Sequence, residues 1–101
     1  MRTGQVPPSI CELVGDRCWK FSAKAYLAEQ MGDFTFDDLQ HCVLTGRGRK
    51  RKRDEQGTAV DGFKYVILGR TIGGRPFYVC GKIRHDDDGR HFYIITAHAA
   101  D

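Results

Sequence analysis

Between Phe63 and His98 the chain carries three short apolar runs, FKYVILGR, RPFYVCGKIR and RHFYIITAH, separated by Gly-rich or Asp-Gly segments. Runs of this length, rich in Val, Ile, Phe and Tyr and bounded by turn residues, read as β-strands. Gly73-Gly74 and Asp88-Gly89 each offer a two-residue hairpin turn. Three successive antiparallel strands follow. Two-residue turns set the register, placing Leu68 opposite Val79, Val66 opposite Gly81, Ile83 opposite Ile94 and Lys82 opposite Ile95. Alternation then sorts the side chains. One face collects Val66, Leu68, Phe77, Val79, Ile83, Phe92 and Ile94. The other collects Tyr65, Ile67, Tyr78, Cys80, Lys82, Arg84, His91, Tyr93 and Ile95. The first is expected beneath helices and the second, aromatic and cationic, is expected to stay partly open.

The preceding half supplies the helices. Residues 1–8 are expected to be a disordered tail. Ser9 and Glu12 have capping-box spacing, which starts a short helix that Gly15 ends. Residues 17–21 read as a connector, with Trp19 and Phe21 as core anchors. Ser22 caps a helix over 23–31, with Ala23, Tyr26, Leu27 and Met31 as its apolar face and Gly32 as its stop. Thr35 caps another over 36–45, with Phe34 and Leu39 placed as a hydrophobic staple; Phe36, Leu39 and Val43 form its buried stripe and Gly46 stops it. Arg47–Arg53 reads as an edge strand, because rows of cations discourage sheet-to-sheet pairing, and 54–62 as a polar loop. The expected fold is α+β in one domain over 1–101. Two or three helices within 9–46 pack on one face of a roughly four-stranded antiparallel sheet within 47–101.

Composition narrows the class. With 29% charged and 41% hydrophobic residues the chain suits a folded domain. No apolar run reaches membrane-spanning length, and no signal-peptide core stands at the N-terminus, so a cytoplasmic protein without membrane contact is expected. Cys11, Cys18, Cys42 and Cys80 fit reduced, mostly buried thiols. Neither metal nor cofactor is expected, since Cys11 and Cys18 lie too far apart for zinc-ligand spacing. The net charge is +3, but Arg47, Arg49, Lys50, Arg51, Lys52 and Arg53 put six cations in seven residues. Such a tract suits a polyphosphate, whose counterions it releases; a solvated charged surface has the same composition. On the open face, Tyr65, Tyr78 and Tyr93 can stack on unpaired bases while Lys82 and Arg84 hold phosphates. Cross-strand tyrosine pairing accounts for the same residues. Among the histidines, His91 and His98 are candidates for proton transfer near neutral pH. His98 falls on the alternation opposite to Tyr93, so it joins that face only if the strand changes phase. Neighbours on a helix diverge, which sets His41 and Cys42 apart.

Several segments together resemble a known family: Phe21-Ser22-x-x-Ala25 opening a helix, a Thr35-capped helix ending at Gly46, then Lys64-Tyr65-Val66-Ile67-Leu68-Gly69, Gly74-Arg75-Pro76-Phe77-Tyr78-Val79 and Ile94-Ile95-Thr96-Ala97. The pattern is similar to small bacterial domains grouped with the toxins of toxin–antitoxin pairs, distant relatives of the RelE and BrnT ribonucleases. The resemblance implies helices behind an antiparallel sheet, RNA as partner, an antitoxin protein as a possible second partner, and metal-independent RNA cleavage on the open face. His91, His98 and Tyr93 would then move protons, with Lys24, Lys82, Arg84 and Arg75 on the phosphate. The family pattern carries histidine where Lys24 stands here, and lysine is a poor base unless desolvated. A non-cleaving module that binds RNA or protein through the 47–53 tract is the alternative.

Overall fold

The computed structural model describes residues 5–100. In chain order they form α1 (Pro8–Gly15), β1 (Trp19–Phe21), α2 (Ala23–Gln30), α3 (Phe36–Thr45), β2 (Arg47–Arg53), β3 (Phe63–Arg70), β4 (Pro76–Asp86) and β5 (Gly89–Ala99). The fold is α+β, with three helices against a five-stranded sheet of order β1-β5-β4-β3-β2. The sheet is mixed: β1 runs parallel to β5 and every other pair is antiparallel. The segment expected to be a connector is therefore partly a fifth strand. Trp19, Lys20 and Phe21 pair with Phe92, Tyr93 and Ile94.

The helix ends follow local chemistry. Thr35 accepts from the Asp38 amide and Asp38 accepts from the Thr35 amide, a complete capping box. The Ser22 side chain accepts from the Ala25 amide and donates to the Ile95 carbonyl, tying the start of α2 to β5. At α1 no side chain caps the start; Pro7 holds that place and Ser9 lies inside the helix. Val6, expected in a tail, is buried in the core, and residues 1–4 of that tail lie outside the described residues.

The core joins Ile10, Val14, Phe34, Leu39, Cys42 and Val43 to Ile67, Phe77, Val79, Ile83, Phe92 and Ile94. Beside it, the half-buried rings of Trp19, Phe21 and Phe36 cluster within 5.9 Å of one another. The expected apolar face of α2 is not inward: Tyr26, Leu27 and Met31 are exposed, and only Ala25 of that helix is buried. α2 packs mainly against β5 and turns its small residue Ala25, not its large ones, to the sheet. Gly46 and Gly69 meet where α3 reaches β3, and a Cβ on Gly46 would fall 2.4 Å from the Cys42 carbonyl. The two glycines let helix and strand touch backbone to backbone.

Two register differences decide which face each side chain takes. The β3–β4 connection spans residues 71–75 between the pair Arg70 and Pro76, not two residues, and Ile67 lies opposite Val79. That is a one-residue slip, which turns the whole strand over. Ile67 and Tyr65 face the helices and are buried, whereas Val66 and Leu68 are half-buried on the open side. In the β4–β5 hairpin the turn is Asp87-Asp88, with Gly89 at φ 102°, and Ile83 lies opposite Phe92. A two-residue slip preserves the face, so Ile83, Phe92 and Ile94 are buried as expected.

Candidate functional site

β5 contains a bulge. Ile94 pairs with Gly81 and Thr96 with Cys80, leaving Ile95 without a partner. The extra residue changes the alternation, so Tyr93, Thr96 and His98 share the open face. This resolves the mismatch between His98 and Tyr93 that strict alternation imposes. A second bulge, at Arg49, separates the pairs Gly48–Ile67 and Lys50–Val66 in β2.

The open face is thus a set of cross-strand rows. One row runs Arg47, Leu68, Tyr78, His98 and the next runs Lys50, Val66, Cys80, Thr96. The third places Lys52 beside Lys64 and Lys82 beside Tyr93, with Lys20 beyond. The first two rows border an open groove of about 590 Å³ lined by Arg49, Lys50, Lys52, Val66, Leu68, Tyr78, Cys80, Thr96 and Ala100. Cations stand along its β2 side, apolar groups form its floor, and Tyr78, Cys80 and Thr96 form the far side. Burial pushes the Cys80 thiol up, although Lys64, Lys52 and Lys50 act in the opposite direction. The groove's thiol is therefore protonated at neutral pH and is no nucleophile.

Tyr78 and His98 form a hydrogen-bonded pair with ring centroids 4.0 Å apart, edge to face. The His98 Nδ1 lies 2.9 Å from the Ala99 carbonyl, which can only accept. Nδ1 therefore carries the proton, and Nε2 accepts from the Tyr78 hydroxyl. Arg75 reaches the same end. Its guanidinium donates to the Asp33 carbonyl at 3.1 Å, and it borders a small pocket with His98 and Asp33.

Other residues expected at the site stand elsewhere. Tyr65 is buried on the helix side and donates to Asp61; burial first, then Asp61, pushes its hydroxyl up to about 12. Lys82 is on the open side but has only 2% of its side chain exposed, held by Asp54 at 3.1 Å and Gln56 at 3.0 Å. It cannot also hold phosphate. His91 is buried, with neither ring nitrogen hydrogen-bonded and Nδ1 3.9 Å from Asp86. Burial pushes its imidazole below the usual value. Tyr93 supports the Arg84 guanidinium, 4.1 Å above its ring, toward the β4–β5 turn. Lys24 is exposed in the first turn of α2 and makes no hydrogen bond or ion pair with Tyr78, His98 or Arg75 among the described residues. The geometry adds one cation, Lys64, which the expected register had turned to the helix side. Its pairing with Lys52 was the only available signal, and that depended on the register.

Among the described residues no group of three or more His, Cys, Asp or Glu could hold a metal ion. No described helix is long and apolar enough to cross a membrane. No family model, no curated protein and no solved structure matches the chain.

Proposed function

We propose that this protein binds single-stranded RNA on the open face of its sheet. The observation that carries the reading is the shared face of the β2 cations, the apolar floor at Val66 and Leu68, and the Tyr78 ring. Cations attract the phosphates, and a flat ring beside an apolar floor takes unpaired bases. The helical segment is a poor competitor: over residues 8–46, leaving out Lys20 on the open face, Glu12, Asp16, Glu29, Asp33, Asp37 and Asp38 outnumber Arg17 and Lys24. The expected resemblance to toxin ribonucleases agrees with this choice of partner. The test is filter binding over a salt series. Changing Arg49, Lys50, Arg51 and Lys52 together to Ser should weaken binding and make log K less dependent on log salt; an unchanged slope would refute the reading.

A second step is favoured by the Tyr78–His98 pair: cleavage of the bound strand, as of a toxin-like ribonuclease. The 2′-oxygen attacks phosphorus; its proton passes to the Tyr78 oxygen as the Tyr78 proton passes to Nε2 of His98. The bond from phosphorus to the 5′-oxygen breaks, and that oxygen takes a proton from solvent. The products are a 2′,3′-cyclic phosphate and a 5′-hydroxyl. The imidazolium then releases its extra proton to solvent, restoring both groups. Arg75, beside His98, stabilises the charge developing on phosphate. Cleavage in the presence of a chelator is the expected result. His98→Ala should slow it by about 10²–10⁴-fold, the usual contribution of an acid–base group. RNA that is bound and left intact by the unaltered protein would reduce the function to that of a binding module.

A further inference from the structure

We infer that only one face of the basic tract touches RNA, and that the bound backbone runs along β2 with its bases laid across the sheet toward Tyr78. The inference rests on the proposed RNA-binding reading and adds the path and the contacting residues. The tract looks uniform in sequence, but the pairing with β3 divides it. Lys50 lies opposite Val66 and Lys52 opposite Lys64, on the open side. Arg51 lies opposite Tyr65 and Arg53 opposite Phe63, on the other side.

The two sets also differ in what they touch. The Arg51 guanidinium sits 4.2 Å above the Phe63 ring, so it is engaged in holding β3. Lys50 and Lys52 border the groove and have no protein ion partner among the described residues. Alternate residues on a strand are separated by about 6.8 Å. That distance is close to the phosphate repeat of an extended single strand, so Lys50 and Lys52 can meet successive phosphates. The bulge at Arg49 keeps Arg47 on the same face, one row further along, opposite Leu68. From each phosphate position the floor leads across β3 to β4: Leu68 to Tyr78 in one row, Val66 to Cys80 in the next. A strand crossing the sheet along either of these two rows would meet one cation, Arg47 or Lys50.

Two variants of equal charge loss test the division: Lys50→Ser with Lys52→Ser, and Arg51→Ser with Arg53→Ser. The probe is a labelled oligouridylate titrated over a salt series, after thermal melts confirm that each variant is folded. The lysine pair should make the slope of log K against log salt shallower by about 1.4, two phosphates at about 0.7 each. The arginine pair should leave the slope unchanged. Arg53→Ser against Lys52→Ser supplies the comparison without disturbing the Arg51–Phe63 stack. Equal slope changes in the two sets would overturn the inference while leaving RNA binding intact. That outcome would fit a diffuse charge field, or an acidic peptide strand paired along the β2 edge and displaceable from it. A protein that binds no oligouridylate at any salt would overturn both the inference and the reading beneath it.

Discussion

Replacing Lys82 by Met should destabilise the fold by about 3 kcal/mol, and replacing Asp54 by Ala should cost more. The side chains are 2% and 1% exposed, and each oxygen of Asp54 lies within 3.2 Å of Nζ. Removing one partner of a buried pair costs about 3–5 kcal/mol, because the remaining charge is stranded. The two losses differ because the surroundings differ. Without Lys82, Asp54 still accepts from the Thr58 and Ala59 amides at 3.0 and 2.8 Å. Without Asp54, Lys82 keeps only Gln56, and the loop over 54–62 loses the carboxylate that binds its own amides. Lys82→Met therefore belongs near the lower figure and Asp54→Ala near the upper. The double variant should cost less than the sum, since it strands no buried charge. Urea unfolding at pH 7 gives all three values, with the m-value as a check on two-state behaviour. Acid should reproduce the effect. Burial alone would raise the Asp54 carboxyl, but the Ala59 amide, Lys82 and the Thr58 amide together hold it below its ordinary value. Its contribution is present above the unfolded carboxylate range and is lost as pH falls through the lower folded value. A Lys82→Met loss under 1 kcal/mol, or a double variant equal to the sum, would refute this account.

Gly81→Ala should also destabilise, because its Cβ would stand 2.6 Å from the Phe92 ring and 2.7 Å from the Tyr93 carbonyl. Overpacking costs about 1–3 kcal/mol, so a thermal melt should show a drop of several degrees or more, and an unchanged midpoint would contradict the packing described. His91 should make the fold acid-sensitive. Its folded imidazole titrates below its unfolded value, so the unfolded chain takes up the proton first and stability falls as pH drops below about 6.5. His91→Leu should remove that part of the slope in urea midpoints measured between pH 5 and pH 8, while a slope retained in full would place its origin elsewhere.

The elements that read well from sequence are those written by local chemistry. The Thr35 cap, the basic edge strand and the β3 run stand at their expected bounds because capping groups, charges and turn residues act over a few positions. β1 was hidden because three residues cannot show a period, and its pairing depends on β5, about seventy residues away. The faces of β3 were inverted because the pair Gly73-Gly74 sits inside a longer connection, where only Gly74 takes positive φ. The site suffered in the same way. Tyr65 was drawn onto the open face and Lys64 off it by one residue of slip. Lys82 was expected to be free because its partner, Asp54, looked like an ordinary residue of a polar loop. His98 reached the open face only through a bulge that no residue type announces.

The parallel pairing of β1 with β5 has a consequence for synthesis. A ribosome releases α1, β1, α2 and α3 first, yet β1 and α2 find their sheet partner only in β5. Until β5 emerges, the Trp19, Phe21 and Phe36 rings and the inward side of α1 have no complete surface to cover. Sequence-distant pairing of this kind is slow and leaves apolar groups open meanwhile. The final sheet therefore closes in one late event, when β5 enters between β4 and β1 and sets Thr96 and His98 into the open face in the same step. A nascent chain halted before β5 would hold the whole basic tract and no assembled groove.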